Sequence, residues 1–216
     1  MQLPQGEPPF GPWRVVPAGA VPELVGRARV VAVDGRSGSG KSTACARIAA
    51  AVPGTAVVHS DDVAWYHDFF DWAELMAGGV LEPLRRGEAV AFRPPEWDAR
   101  GRDSAIRVPA DAPLVLVEGV GVGRRELAAL VDAVVWVQAD RPTATRRGIL
   151  RDGDTAFWEE WERSELPFLA AQRPWERAGL VVAGTSDVAH DPETQLVVAD
   201  GPRAGVPHGA PGNEEL

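Results

Sequence analysis

The chain has 216 residues, a length that suits one α/β domain and is short for two. Its 45% hydrophobic and 25% charged residues are an ordinary globular mix, and 23 Gly with 19 Pro stay below the level of a wholly disordered chain. A net charge of −9 repels phosphate backbones and anionic lipid, so neither nucleic acid nor membrane is expected as a partner, and a single cysteine, Cys45, excludes a disulfide framework or a multi-cysteine zinc site.

Residues 1–27 read as a Pro-rich arm, with Pro4, Pro8, Pro9, Pro12 and Pro17 preventing an ordinary helix and Phe10 and Trp13 available to pin it to the body. Such an arm could serve as an interface, so a homo-oligomer is one expected arrangement. Residues 28–200 read as the folded domain. Val30 to Val33 is a short buried strand, Lys41 to Ala51 an Ala-rich helix, and Ala56 to Val58 a second strand. Helices are expected over Phe69 to Ala77 and Val80 to Arg86, broken by Gly78-Gly79. Leu114 to Val117 is a third strand, Arg124 to Leu130 a helix, and Ala133 to Val137 a fourth strand. Thr143 to Arg151 and Ala156 to Ala171 read as helices, with Leu180 to Val182 and Leu196 to Val198 as late strands. Phe157, Trp158, Trp161 and Phe168, followed by Trp175, look like one helix packing face and an anchor. Residues 201–216 read as a disordered tail. No secretory signal or membrane-spanning run is legible, which makes the cytoplasm the expected location. Apolar strands alternating with helices predict a doubly wound parallel sheet of about five strands with helices on both faces, an α/β fold.

Gly35-Arg36-Ser37-Gly38-Ser39-Gly40-Lys41-Ser42 fits the phosphate-loop pattern without a mismatch, between a strand and a helix. The glycines let successive backbone N–H groups turn toward phosphate oxygens, and the following helix adds its positive end. Lys41 then reaches the β/γ-phosphates and the Ser42 hydroxyl ligates Mg²⁺, with Thr43 completing the nucleotide site. ATP and Mg²⁺ are the expected cofactors. No Asn-Lys-x-Asp guanine motif occurs, which argues against a GTPase switch.

Ligands of such sheets sit beyond the carboxyl ends of the strands. Asp34, Asp61, Asp62 and Glu118 stand there. Phosphoryl transfer to an alcohol needs a carboxylate at the acceptor hydroxyl and another at the metal. Asp62 suits the first role and Glu118 the second, while capping of the next helix is the competing role for Asp61 and Asp62. Asp34 could serve only to order the loop. The four histidines, His59, His67, His190 and His208, show no paired metal spacing and read as structural or exposed.

The phosphate loop, His59-Ser60-Asp61-Asp62 and Val117-Glu118-Gly119 together resemble the uridine kinase and phosphoribulokinase-like group of P-loop kinases, most of all its bacterial uridine kinase-like members, over about residues 28–185. The resemblance implies a mobile lid, Asp62 as the carboxylate that accepts the hydroxyl proton, and Glu118 at the metal. It implies that arginines after Asp140 contact phosphate: Arg147 and Arg151, four residues apart, share a helix face, with Arg146 as the alternative to Arg147. It also implies an acceptor pocket among the aromatic residues between strands two and three, to which Asp61, Tyr66, Trp97, Arg100 and Arg102 are assigned. Where the group carries a Tyr-Asp-Tyr run and a base-reading His, this chain has Pro95 and Arg100, a departure that bears on the acceptor. The function implied is transfer of the ATP γ-phosphate to a hydroxyl of a small molecule, a nucleoside such as uridine or cytidine. The alternatives are another acceptor (a nucleoside monophosphate, a sugar or a secondary metabolite) and a non-catalytic ATP-binding regulator.

Overall fold

The structure, a computed structural model, describes residues 1–204. The expected tail therefore lies mostly outside the described residues; its first four, Gly201 to Ala204, close a turn against Ala178 and Gly179.

The Pro-rich start is drawn into the fold. β1 (Arg14–Pro17) pairs antiparallel with the last strand, a short helix α1 (Val21–Leu24) follows, and Phe10 and Trp13 pack against the core. Then come β2 (Val30–Asp34), α2 (Lys41–Ala51), β3 (Ala56–His59) and the single turn α3 (Ser60–Val63). The next helical stretch joins α4 (Ala73–Met76) to α5 (Glu82–Arg85) through a π-helical turn at Ala77–Leu81. The break expected at Gly78-Gly79 is thus a widened turn within a continuing helix. Its reason is packing: the Phe92 ring lies on the Gly79 backbone, where a Cβ would sit 2.5 Å from a ring carbon. The stretch also starts four residues later than expected, because Phe69 to Trp72 forms a loop closed by the Trp72 indole N–H donating to the Phe69 carbonyl at 3.0 Å.

β4 (Val90–Phe92) and β5 (Ile106–Val108) form a small hairpin sheet around α6 (Pro95–Ala99). β6 (Val115–Glu118) leads to a 3₁₀ segment, Arg125–Leu130, in place of the expected α-helix. β7 (Ala133–Gln138) is followed by two contacting helices, α7 (Arg141–Asp152) and α8 (Thr155–Gln172). Asp140 caps α7 by accepting the Thr143 N–H, Gly153 ends it in the left-handed region, and Asp154 caps α8 through the Phe157 N–H. β8 (Leu180–Ala183) and β9 (Gln195–Asp200) complete the sheet.

The main sheet has seven strands in the order β1-β9-β8-β7-β2-β6-β3. Five strands, β8 through β3, run parallel, and β9 and β1 add an antiparallel edge on the other side. The α/β fold is as expected, with two strands more than the five anticipated. Strand alternation feeds two cores. Val31 and Val33 of β2 join Ala44, Cys45 and Ile48 of α2 on one face; Val30 and Ala32 join Trp72, Met76, Trp97 and Leu169 on the other. With both faces covered, the parallel strands end together, and their carboxyl ends gather the loops that carry chemistry. No described helix is long and apolar enough to cross a membrane.

Candidate active site

The loop between β2 and α2 curls as its glycines require. Gly38 has φ +74°, and a Cβ there would stand 2.1 Å from the Ala144 carbonyl oxygen of α7, so the loop and α7 touch backbone to backbone. Asp34 is fully buried and accepts the N–H groups of Gly35 (2.7 Å), Gly121 (2.9 Å) and Gly123 (2.8 Å). It therefore ties the phosphate loop to the loop after β6; burial raises its carboxyl pKa and these three N–H groups oppose that rise.

Lys41 turns its ammonium back along the loop and donates to the Arg36 carbonyl at 3.0 Å. The Ser39 hydroxyl is buried with no partner. A cradle of backbone curled around a Lys fits a polyphosphate. Ser42 Oγ donates to Glu118 Oε1 at 3.0 Å, and His59 Nδ1 stands 2.6 Å from the same oxygen. Burial pushes the Glu118 carboxyl up, but the His59 hydrogen bond, the Lys41 charge and the Ser42 hydroxyl outweigh it and hold the group below its ordinary value. The same hydrogen bond raises the His59 imidazole. Among the described residues no cluster of three or more His, Cys, Asp or Glu could hold a metal by itself. That suits Mg²⁺, which takes one or two protein oxygens and completes its shell with phosphate and water. Ser42 and Glu118 fit that role.

Two cavities flank the loop. The first, about 310 Å³, is bordered by Gly40, Thr43, Arg47, Arg147, Gly184 and His190. The second, about 370 Å³, has Ser37, Lys41, Ser42, Asp61, Glu118 and Arg151 at one end and aromatic rings at the other. The two arginines expected to act together are divided between them. Arg147 donates to the Gly184 carbonyl at 2.9 Å in the first, while Arg151 lines the second, paired with Asp152 at 2.7 Å. Arg146 lies apart from both, on an open surface beside Ile149 and Leu150.

The two aspartates of α3 also part. Asp61 lines the second cavity. Asp62, expected at the acceptor hydroxyl, does not; its carboxylate takes a hydrogen bond from Arg102 at 2.7 Å, and its carbonyl takes the Trp97 indole N–H at 2.9 Å. Successive residues in a helical turn point about 100° apart, so one of the pair must turn away from the loop. The other assigned acceptor residues divide likewise. Tyr66 lines the cavity, with φ +63° at a non-glycine position. Trp97 is a core residue, 2% exposed, with Arg102 stacked 3.6 Å from its ring. Arg100 lies over the Tyr66 ring at 3.6 Å and pairs with Glu96 at 3.1 Å, outside the cavity lining.

α8 contributes what the sequence did not reveal. Glu165, fully buried, accepts the Ser37 N–H of the phosphate loop. Arg36, the loop's second residue and 1% exposed, reaches Glu162 at 2.7 Å and Glu165 at 3.4 Å, leaving its Nε and Nη1 buried without partners. Burial raises the Glu165 pKa, with the Arg36 charge opposing it. Trp161 and Phe157, one and two turns earlier on the same helix, wall the second cavity. The 157, 161, 165 spacing of four residues is legible as one helix stripe, but nothing in it says that the stripe meets the phosphate loop. His59 was likewise missed as a site residue. It sits beside Glu118 because β3 and β6 pair in parallel with those two residues opposite each other. Gly119 follows because Ser60 packs against it, its Oγ only 1.7 Å from where a Cβ would be.

No protein-family model matches the chain, and no curated protein matches it. Among solved structures it is similar to a protein described as a possible uridine kinase from Bacillus stearothermophilus, with 20% identity over 71% of this chain and 88% of that one and a TM-score of 0.46. It is also similar to TT1252 from Thermus thermophilus, with 21% identity over 74% of this chain and 90% of that one and a TM-score of 0.44.

Proposed function

We propose that the protein is an ATP-dependent phosphotransferase that moves the γ-phosphate to a hydroxyl of a small, ring-bearing molecule. One observation carries this: Lys41 and Ser42 of the phosphate loop share a single cavity with Asp61, Glu118 and Arg151, and that cavity continues into an aromatic chamber. A nucleotide-binding regulator needs the loop but no chamber opening onto its phosphate end. The first cavity, beyond Gly40 and Arg147, suits the nucleotide's base.

Asp61 is assigned the role first expected of Asp62. Its carboxylate accepts the acceptor's proton as the acceptor oxygen bonds to the γ-phosphorus and the bond from that phosphorus to the β–γ bridging oxygen breaks, releasing ADP. Lys41 and Arg151 offset the charge on the moving phosphoryl group. Mg²⁺ held by Ser42 and Glu118 would neutralise charge between the phosphates.

A nucleoside such as uridine or cytidine belongs to the ring-bearing class, and flat bases stack on aromatic faces. A nucleoside monophosphate is disfavoured. The basic groups that could hold its phosphate lie outside the cavity lining: Arg93 with Asp98 and Asp103, Arg100 with Glu96, and Arg102 with Asp62. The test is ADP release from Mg²⁺-ATP with and without acceptors, in wild type, Asp61→Asn and Asp62→Asn. Acceptor-dependent turnover lost with Asp61→Asn and kept with Asp62→Asn is the expected result. Intact ATP binding without turnover on any acceptor would favour the regulator.

A further inference from the structure

The second cavity changes chemistry along its length. Its phosphate end is charged; its far end is formed by Trp65, Tyr66, Phe69, Trp72, Phe157 and Trp161. These rings come from the segment after α3 and from the first turns of α8, and they hold one another. Phe69 meets Trp161 edge-on at 4.9 Å, Phe157 lies 6.3 Å from Trp161, and Trp65 meets Tyr66 at 4.7 Å. The Trp72 N–H is spent on the Phe69 carbonyl. Two unspent buried polar atoms belong to this wall: His67 Nε2 and the Trp161 indole N–H, each without a partner.

The charged groups of the α6 segment that could read the edge of a base stand elsewhere. Arg100 covers the Tyr66 ring and holds Glu96, Arg102 lies on Trp97 and holds Asp62, and Asp98 is held by Arg93. None of them lines the cavity. A ribonucleoside entering this chamber would bring base N–H and C=O groups and spare ribose hydroxyls into an aromatic wall. Each polar group buried there without a partner weakens binding. A flat apolar ring meets no such cost and gains from edge and face contacts with the wall.

We infer that the preferred acceptor is an alcohol carried on a flat, largely apolar ring system with at most two hydrogen-bonding groups, met by His67 and the Trp161 N–H, ahead of ribonucleosides and sugars. The inference rests on the phosphotransferase reading of the same site. The reaction is ATP plus the alcohol giving ADP, the phosphate monoester and a proton, with the proton passing through Asp61.

The test compares 2-phenylethanol, 2-(indol-3-yl)ethanol and 2-naphthylmethanol with uridine, cytidine and ribose. Binding is read by calorimetry and turnover by ADP release, beside a separate ATP titration. The expected result is kcat/KM at least about tenfold higher for the ring alcohols, one such factor being the loss of about 1.4 kcal/mol from a single unpaired polar group. Phe157→Asn, at a ring 40% exposed at the cavity, should shrink that preference by adding a polar group to the wall. Uridine or cytidine turned over faster than every ring alcohol would overturn the inference and leave the phosphotransferase standing. Absence of calorimetric binding by all three ring alcohols would overturn it as well. Ring-alcohol binding in a protein that fails to bind ATP would keep the chamber's chemistry and end the phosphotransferase reading.

Discussion

The two cavities beside the phosphate loop are of similar size and opposite make. The first cavity is bordered by the loop's own helix, by Arg147 and by the Ala183-Gly184 turn, and no Phe, Tyr or Trp among the described residues lines it. The second cavity is built from four separated segments: the loop, residues 60–72, the end of β6 and the α7–α8 hairpin. The phosphate loop tolerates little variation, because it already touches α7 at Gly38. The second cavity can change its ligand by exchanging rings while the phosphate chemistry stays in place.

The largest test of this contrast is Lys41→Ala. Removing the one ammonium aimed along the loop should lower acceptor-dependent ADP release by about 10³-fold, whatever the acceptor. Asp61→Asn comes next, with a loss of about 10²–10⁴ expected for a missing proton acceptor. Asp62→Asn, which only weakens a half-exposed pair with Arg102, should cost less than about tenfold. Equal losses in the two variants would erase the distinction drawn between these neighbours.

Glu165→Gln tests the link between the cavities. The amide can still accept the Ser37 N–H but no longer balances Arg36. Glu162 remains, so the expected destabilisation is about 1–3 kcal/mol by thermal or denaturant unfolding, with nucleotide affinity down about tenfold. A variant of unchanged stability and affinity would show that α8 merely rests on the loop. The smallest effect belongs to Arg100→Ala, outside the cavity wall. Losing its contact with the Tyr66 ring should change acceptor kcat/KM by less than about fivefold. A larger loss would bring Arg100 back to the acceptor.

Much was readable before any tertiary structure. The phosphate loop is eight consecutive residues whose function follows from local backbone geometry, and the parallel strands are apolar runs whose double burial shows in composition. Glu118 stood out for the same reason, as a carboxylate closing an apolar strand. The departures at Pro95 and Arg100 already marked the acceptor as the uncertain part of the resemblance, and the structure turns the Arg100 segment toward its own carboxylates.

The α/β sheet, the glycine-rich loop and the edge at which the carboxylates gather are written in contiguous residues and can be read there. That Asp61 faces the second cavity and Asp62 faces Arg102, that Arg147 and Arg151 line different cavities, and that Glu162 and Glu165 clamp Arg36 emerges only from the folded chain. One cause underlies all three. Adjacent side chains on a helical turn, and residues brought together from 126 or 129 positions apart, are distinguished by direction and register, which no local pattern encodes.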